Sequence, residues 1–384
     1  MRSVRGLRAC CVAVLLASFA AAAAPPVCPE SHWAVQYAAW RAAEGANASR
    51  LTWITTDASP GGWGDRMRGS LLALRVAAAN NRTLYLRWGG LHALGTYLQP
   101  ATFDWRPATN SCLSDECDAA SGARLVLDRG MGRLAGTSTS FDGELATALA
   151  SDGEVVIDER RSASQLLPLS GAATMEQEVD FVCAWEVLYM PTAELAARGE
   201  AVLAALNVTR PYAAVHLRLG GLEGERKALS RVKDAPSATS CPLTLARAAA
   251  SCAAALRDAG NSSSSKETFL SNSGRRRPVL VITDNEALRA KLARGKVEGA
   301  IGPSYSAEHV SLAAHARARA GKRWDAWVDV YLLANAAQLL TSHSGFSNMA
   351  AWWSNAHTAD VATCVRADAG FEAACARERK RGVK

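Results

Sequence analysis

Apolar positions in this chain fall into short blocks that switch between two periods. Residues 51–56, 84–88, 155–158, 212–215 and 279–283 are compact runs rich in aliphatic, β-branched and aromatic side chains, the pattern of buried strands. Between them the spacing turns helical. Residues 29–50 place Trp33, Tyr37 and Trp40 on one side, and residues 67–79 do the same with Leu71, Leu72, Leu74 and Val76. Further helices are predicted over 191–206, 241–259 and 287–292. Another covers 324–340, where Trp327, Val328, Tyr331, Leu332 and Ala336 make an apolar face. A short strand over 339–341 and a helix starting near Asn348 complete the pattern. Strands alternating with helices predict an α/β protein with parallel sheets. The aromatic stretch 91–105 and the apolar stretch 181–189 read as packing elements of a first domain. Residues 106–150 carry little periodic signal, and 223–240 and 260–277 read as solvated loops, the latter containing Arg275-Arg276-Arg277.

At 384 residues the chain suits two domains, and 49% apolar with 21% charged residues is a globular balance. The boundaries expected are 1–24 for a leader, 25–191 for the first domain and 192–384 for the second. Arg2, Arg5 and Arg8 precede an apolar run ending in small residues near Ala24, which reads as a signal peptide or a short type II membrane anchor. Those three arginines account for part of the net charge of +7, leaving +4, which suits an anionic ligand and does not call for nucleic acid.

The leader changes the reading of the cysteines. Beyond Cys10 and Cys11 there are eight, and an even number behind a signal favours disulfides in an oxidising lumen. Local pairing would give Cys112–Cys117, Cys241–Cys252 and Cys364–Cys375, although spacing alone does not fix connectivity. No Cys-x-x-Cys or His-x-x-x-His occurs, so a zinc site is the poorer reading. Four Asn-x-Ser/Thr sequons, at Asn47, Asn81, Asn207 and Asn261, agree with a secretory route.

The chemistry concentrates at strand ends. After the apolar run 212–215, His216 and Arg218 share one face by period-two spacing, and Gly220-Gly221 breaks the strand. A cation at such an end is placed to meet a phosphate pair, and it is equally placed for a structural ion pair. The first βα turn reads Gly61-Gly62-Trp63-Gly64-Asp65-Arg66; it matches neither Gly-x-Gly-x-x-Gly nor a Walker loop, and serves as an anion cradle or as a tight turn. The run 279–283 ends in Asp284, which either meets a ribose or base or caps the next helix. The last turn, Ser342-His343-Ser344-Gly345-Phe346-Ser347, offers hydroxyls and helix amides to a diphosphate, or ordinary N-capping by Ser344 or Ser347.

Taken together these stretches resemble the fucosyltransferase superfamily of α1,6-, α1,2- and protein O-fucosyltransferases. His216-Leu217-Arg218 resembles its His-x-Arg motif. Gly62-Trp63-Gly64-Asp65-Arg66, followed by a helix and Asn81-Arg82-Thr83-Leu84-Tyr85-Leu86, resembles its N-terminal loop beside the donor sugar. Thr283-Asp284 resembles the strand end whose Asp contacts the nucleotide, and Asp329 with Ser342, Ser344, Gly345 and Phe346 resembles the C-terminal phosphate-binding motif. The resemblance implies two Rossmann-like domains facing a cleft, a GT-B-like arrangement. It also implies a glycosyltransferase that takes GDP-fucose as donor and a glycan or glycoprotein as acceptor, with inversion and no cofactor. No Asp-x-Asp triplet occurs in the chain, in keeping with a transfer independent of metal.

In that reading Arg218 meets the charge growing on the β-phosphate, aided by the helix start at 344–346. His216 holds Arg218 or a ribose hydroxyl, and Gly62, Gly64, Asp65 and Arg66 line the sugar side. Asp65, Asp284 and Asp329 are the candidate bases, and the sequence alone does not choose among them. Many relatives close the first motif with a second arginine or an aspartate, where this chain has Leu219-Gly220-Gly221. The contrasting class is a secreted protein of the same fold that binds glycan or nucleotide without turnover.

Overall fold

The computed structural model describes residues 28–55, 62–88, 94–107, 122–127, 141–159, 178–219, 241–260, 277–305, 320–342, 344–354, 357–366, 368 and 370–380. The leader, Cys112, Cys117, Gly220, Gly221, Asn261 and the loop at 223–240 lie outside the described residues. Two compact units adjoin in sequence at Leu195 and Ala196.

The N-terminal unit contains α1 (Trp33–Ala43), β1 (Arg50–Thr55), α2 (Trp63–Ala79), β2 (Thr83–Trp88), β3 (Leu98–Pro100), β4 (Gly122–Leu127), α3 (Phe141–Leu149), β5 (Glu154–Glu159), α4 (Glu178–Leu188) and β6 (Tyr189–Pro191). Strands β2-β1-β5-β4 form one parallel sheet, and β3 pairs antiparallel with β6. Register puts Leu51 beside Leu84 and Val155, and Trp53 beside Leu86 and Ile157, all buried. Strands covered on both faces carry apolar side chains in both directions, and this is why they read as continuous runs.

Arg82 ties several segments of the unit together. It is buried, and its guanidinium donates to the carbonyls of Arg50, Ala148, Leu149, Ser151 and Gly153. One cation thereby satisfies the carbonyl end of α3 and ties it to β1 and β5.

Helix α5 (Ala193–Ala205) crosses the division between the units. The C-terminal unit then has β7 (Ala213–Leu217), α6 (Pro242–Gly260), β8 (Val279–Thr283), α7 (Glu286–Ala293), β9 (Ala300–Ile301), α8 (Ala320–Ala334), β10 (Gln338–Thr341), α9 (Gly345–Trp353), β11 (His357–Asp360), α10 (Val361–Arg366) and α11 (Phe371–Lys380). Its sheet is parallel throughout, in the order β11-β10-β7-β8-β9. The alanine face of α6 packs with Val215, Leu217, Val279, Val281 and Leu340 in one core. Close approach is steric as well: a Cβ at Gly199 in α5 would lie 2.1 Å from the ring of Tyr331 in α8.

Several element boundaries differ from the sequence expectation. Helix α1 ends at Ala43, where Glu44 and Gly45 turn the chain into a short 3-10 segment. The helix expected over 324–340 stops at Ala334, where the Asn335 side chain caps Tyr331 O and frees Gln338 to begin β10. Strand β4 and helix α3 lie in the stretch that showed no periodic signal, and β11, α10 and α11 extend the C-terminal unit past residue 354.

Two of the local disulfides, Cys241–Cys252 and Cys364–Cys375, are also corrected, while the Cys112–Cys117 pair lies outside the described residues. Among the described residues the bridges are Cys28–Cys183, Cys241–Cys375 and Cys252–Cys364. Cys241 and Cys252 sit at the start and middle of one helix, about 16 Å apart along its axis at ~1.5 Å per residue, so they cannot reach each other. Each instead reaches across to α10 or α11. Glu378 of α11 reinforces the junction, its two carboxylate oxygens accepting from Leu243 N and Thr244 N at the start of α6 (3.0 and 2.7 Å).

Candidate functional site

The connectivity of the C-terminal sheet singles out one place. From β7 the chain adds β8 and β9 on one side, then returns to add β10 and β11 on the other. The strand order therefore reverses between β7 and β10. In open parallel sheets the crevice outside the carboxyl ends at such a reversal is where ligands bind.

Of the residues singled out from the sequence, His216, Arg218, Asp284, Ser342 and Ser344 gather at that edge. The backbone just past β7 is held from both sides. Arg218 N donates to Ser342 Oγ beyond β10 (3.0 Å), and Leu219 N donates to Asp284 Oδ1 beyond β8 (2.8 Å). Asp284 uses its other oxygen on Arg218 Nε (3.3 Å), and the Arg218 side chain remains 16% exposed. The carboxylate thus sets both the path of the 218–219 backbone and the direction of the guanidinium.

His216 lies beneath, 3% exposed. Its Nδ1 is 3.4 Å from Ser342 Oγ and 3.5 Å from Ser344 Oγ, and its ring tilts against Phe346 at 5.1 Å between centroids. Burial pulls the imidazole down to about 4, Asp284 opposes the fall, and Arg218 and Arg289 add to it. The ring is therefore neutral at physiological pH. Ser342 Oγ accepts from Arg218 N and also lies within reach of Nδ1, so one hydroxyl ties the imidazole to the backbone just past β7.

Helix α9 begins at Gly345, three residues before the expected Asn348, with Ser344 as its N-cap. Ser344 Oγ accepts from Ser347 N, and Ser347 Oγ accepts from Ser344 N, each at 3.1 Å. This reciprocal box is the capping alternative raised by the sequence. It uses the amides of Ser344 and Ser347. Those of Gly345 and Phe346 have no intrahelical carbonyl to bond to, by their position in the first turn.

Asp329 lies elsewhere. In α8, and 1% exposed, it pairs with Arg289 of α7 (Nη2 to Oδ2, 2.7 Å) and accepts from Tyr305 OH at 2.9 Å. Burial pushes its carboxyl up, while Arg289 and Tyr305 oppose the rise. Arg289 also donates from Nε and Nη2 to Thr283 O, the carbonyl immediately before Asp284 (3.0 and 2.7 Å). Asp329 thus connects to the edge through Arg289 and Thr283. The sequence reading passed over Arg289 and Tyr305. The available signal was Asp329 itself, a carboxylate within an apolar helical face, which demands a buried partner.

In the N-terminal unit, Gly62, Gly64, Asp65 and Arg66 form the first turn of α2 and its cap position. Gly62 N donates to Asp65 Oδ2 (3.2 Å), so Asp65 closes the helix start, and Arg66 is buried. Trp63 stacks on Trp88 at the carboxyl end of β2, 5.5 Å between centroids and 17° between planes.

No known family profile matches the sequence, and no curated protein matches it. In structure the chain is similar to fucosyltransferases. A mutant of Arabidopsis thaliana FUT1 in complex with GDP gives a TM-score of 0.47 at 12% identity, covering 87% of this chain and 75% of that one. NodZ α-1,6-fucosyltransferase soaked with GDP-fucose, an enzyme known from Bradyrhizobium, gives 0.43 at 16% identity, covering 80% and 93%. POFUT1 in complex with GDP gives 0.45 at 11% identity, covering 81% and 98%.

Proposed function

We propose that this protein is a fucosyltransferase that moves fucose from GDP-fucose to a hydroxyl of a glycan or protein acceptor, with inversion and without a metal. The supporting observation is the convergence of His216, Arg218, Asp284, Ser342 and the start of α9 on the reversal point of a parallel sheet. The choice of fucose and of inversion comes from the motif resemblance. The disulfides point to an oxidising compartment, and the Golgi or ER lumen is the location we assign. Among the described residues no helix is long and apolar enough to cross a membrane.

In the reaction the acceptor oxygen bonds to the anomeric carbon of fucose as the bond from that carbon to the β-phosphate oxygen breaks. GDP leaves with the electron pair. Arg218 and the amides of Gly345 and Phe346 stabilise the charge that grows on the diphosphate. His216 offers a ring nitrogen to a ribose hydroxyl, and Ser342 and Ser344 orient the ring. Asp284 aims Arg218 and contacts the nucleotide, and Asp329 acts on the site through Arg289. Gly62, Gly64 and Arg66 line the sugar side. By the motif resemblance, Asp65 is the residue that takes the acceptor proton.

One observation favours a second reading, a binding protein without turnover: Arg218 already has an internal counter-ion in Asp284. Release of GDP from GDP-fucose, measured across several nucleotide sugars and with or without chelator, separates the two. The transferase predicts release with GDP-fucose and a loss of ~10²–10³ in kcat for Arg218→Ala. GDP binding without release from any sugar nucleotide selects the binding protein, and full activity in Arg218→Ala removes Arg218 from the mechanism.

A further inference from the structure

The three described sequon asparagines share a position in the fold. Asn47 lies just before β1, Asn81 just before β2, and Asn207 in the turn between α5 and β7. Each is exposed. In a parallel sheet the segments entering the strands are on the edge opposite those leaving them. Asn47 and Asn81 are neighbours on that entry edge, since Thr83 N donates to Ser49 O (2.9 Å) and β1 and β2 run in register. For Asn207 the placement is fixed by Arg210, which donates to Asn335 in the turn that enters β10 (3.1 Å). Arg218, Asp284, Ser342 and Gly62 all lie on exit edges. Asn81 and Asn207 also hold left-handed backbone, φ 50° and 53°, at the tips of tight turns.

We propose that Asn47, Asn81 and Asn207 carry N-linked glycans, which clothe the entry edge of each sheet and leave the exit edges bare. The donor is a lipid-diphosphate-linked oligosaccharide. The asparagine side-chain nitrogen bonds to the anomeric carbon of the first sugar and loses a proton, while the bond from that carbon to the lipid diphosphate breaks and the lipid diphosphate leaves. At two sites the sequon hydroxyl is committed in the folded chain: Ser49 Oγ donates to Asp152 O (2.8 Å) and Thr83 Oγ donates to Gly45 O. Transfer at Asn47 and Asn81 therefore precedes closure of the N-terminal unit. This inference concerns the route and surface of the protein and stands independently of its proposed catalysis.

The test is site mapping on the full chain secreted from eukaryotic cells. Digestion with a peptide N-glycosidase in heavy-oxygen water should mark all three positions. Asn47→Gln, Asn81→Gly and Asn207→Gly should each remove one glycan's mass from the intact protein; glycine tolerates the left-handed backbone that glutamine would strain. Each single variant should retain the parent's GDP affinity. Recovery of the secreted protein with mainly unmodified asparagine at these positions would overturn the proposal, as would loss of GDP binding on enzymatic trimming of the glycans from folded protein. A fully glycosylated protein that turns over no nucleotide sugar would sink the transferase and leave this inference intact.

Discussion

At the scale of single residues, His216 makes the sharpest prediction because its environment has a sign. Unfolded, its imidazole titrates near the ordinary value of about 6.5; folded, burial holds it down at about 4. Between those values the unfolded chain binds the extra proton, so acid draws the equilibrium toward unfolding. The expected loss is about 3 kcal/mol on going from pH 6.5 to pH 4, with no contribution from this group above pH 6.5. Urea midpoints across that range, compared between the parent and His216→Gln, read the group directly: the variant should have the flatter profile. Parallel slopes would place a charged imidazole in the folded protein. Asp284 makes a second prediction. Asp284→Ala removes the acceptor of Leu219 N and the partner of Arg218 Nε together. A charge-assisted bond is worth roughly 1.5–3 kcal/mol, so GDP affinity by calorimetry should fall about ten- to hundredfold. Unchanged affinity would mean that Arg218 holds its direction without Asp284.

At the scale of elements, α7, α8 and β8 are joined by one buried ion pair. Arg289 in α7 bonds the last carbonyl of β8 and Asp329 of α8. Asp329→Ala leaves a buried guanidinium uncompensated and should cost about 3–5 kcal/mol in chemical denaturation. Asp329→Asn keeps the shape and should cost less while shifting Thr283 and hence Asp284, seen as a higher KM for the donor. If both variants matched the parent in stability, the pair would not carry the junction. Elements also show why the sequence was readable in some places and silent in others. Strands such as 279–283 are buried on both faces, so their apolar runs have no competing interpretation. The exit-edge residues were legible because cations, carboxylates and hydroxyls beside chain breaks are what a phosphate ligand would need, and His216, Arg218, Asp284 and Ser342 stand at such breaks. The start of α9 was placed late because Gly345 is a poor helix former, and only the Ser344–Ser347 box makes it the first residue. Helix α3 was missed because its carbonyl end is satisfied by Arg82, a residue about seventy positions earlier, and not by a local capping signal. Long-range satisfaction of this kind leaves no spacing to read.

At the scale of the whole molecule, the described disulfides staple each unit separately: Cys28–Cys183 in the N-terminal unit, and Cys241–Cys375 with Cys252–Cys364 in the C-terminal one. The last two are nested, since 252 and 364 both fall between 241 and 375. Nesting makes their contributions interdependent. With neither bridge present, closing the outer one ties a loop of 134 residues, worth ~5 kcal/mol in the chain-entropy account. Once it is closed, the inner bridge ties only the eleven residues from 241 to 252 and the eleven from 364 to 375, an effective loop of about 22 residues worth ~3 kcal/mol. The same holds with the roles exchanged. Cys252→Ser/Cys364→Ser and Cys241→Ser/Cys375→Ser should therefore each cost about 3 kcal/mol, while the quadruple variant should cost about 8, more than the two pairs added. Denaturant midpoints for the four proteins measure this excess. Additive losses would mean that the unfolded chain already keeps α6 beside α10 and α11, through the contact of Glu378 with the start of α6, so that the bridges have less freedom to remove.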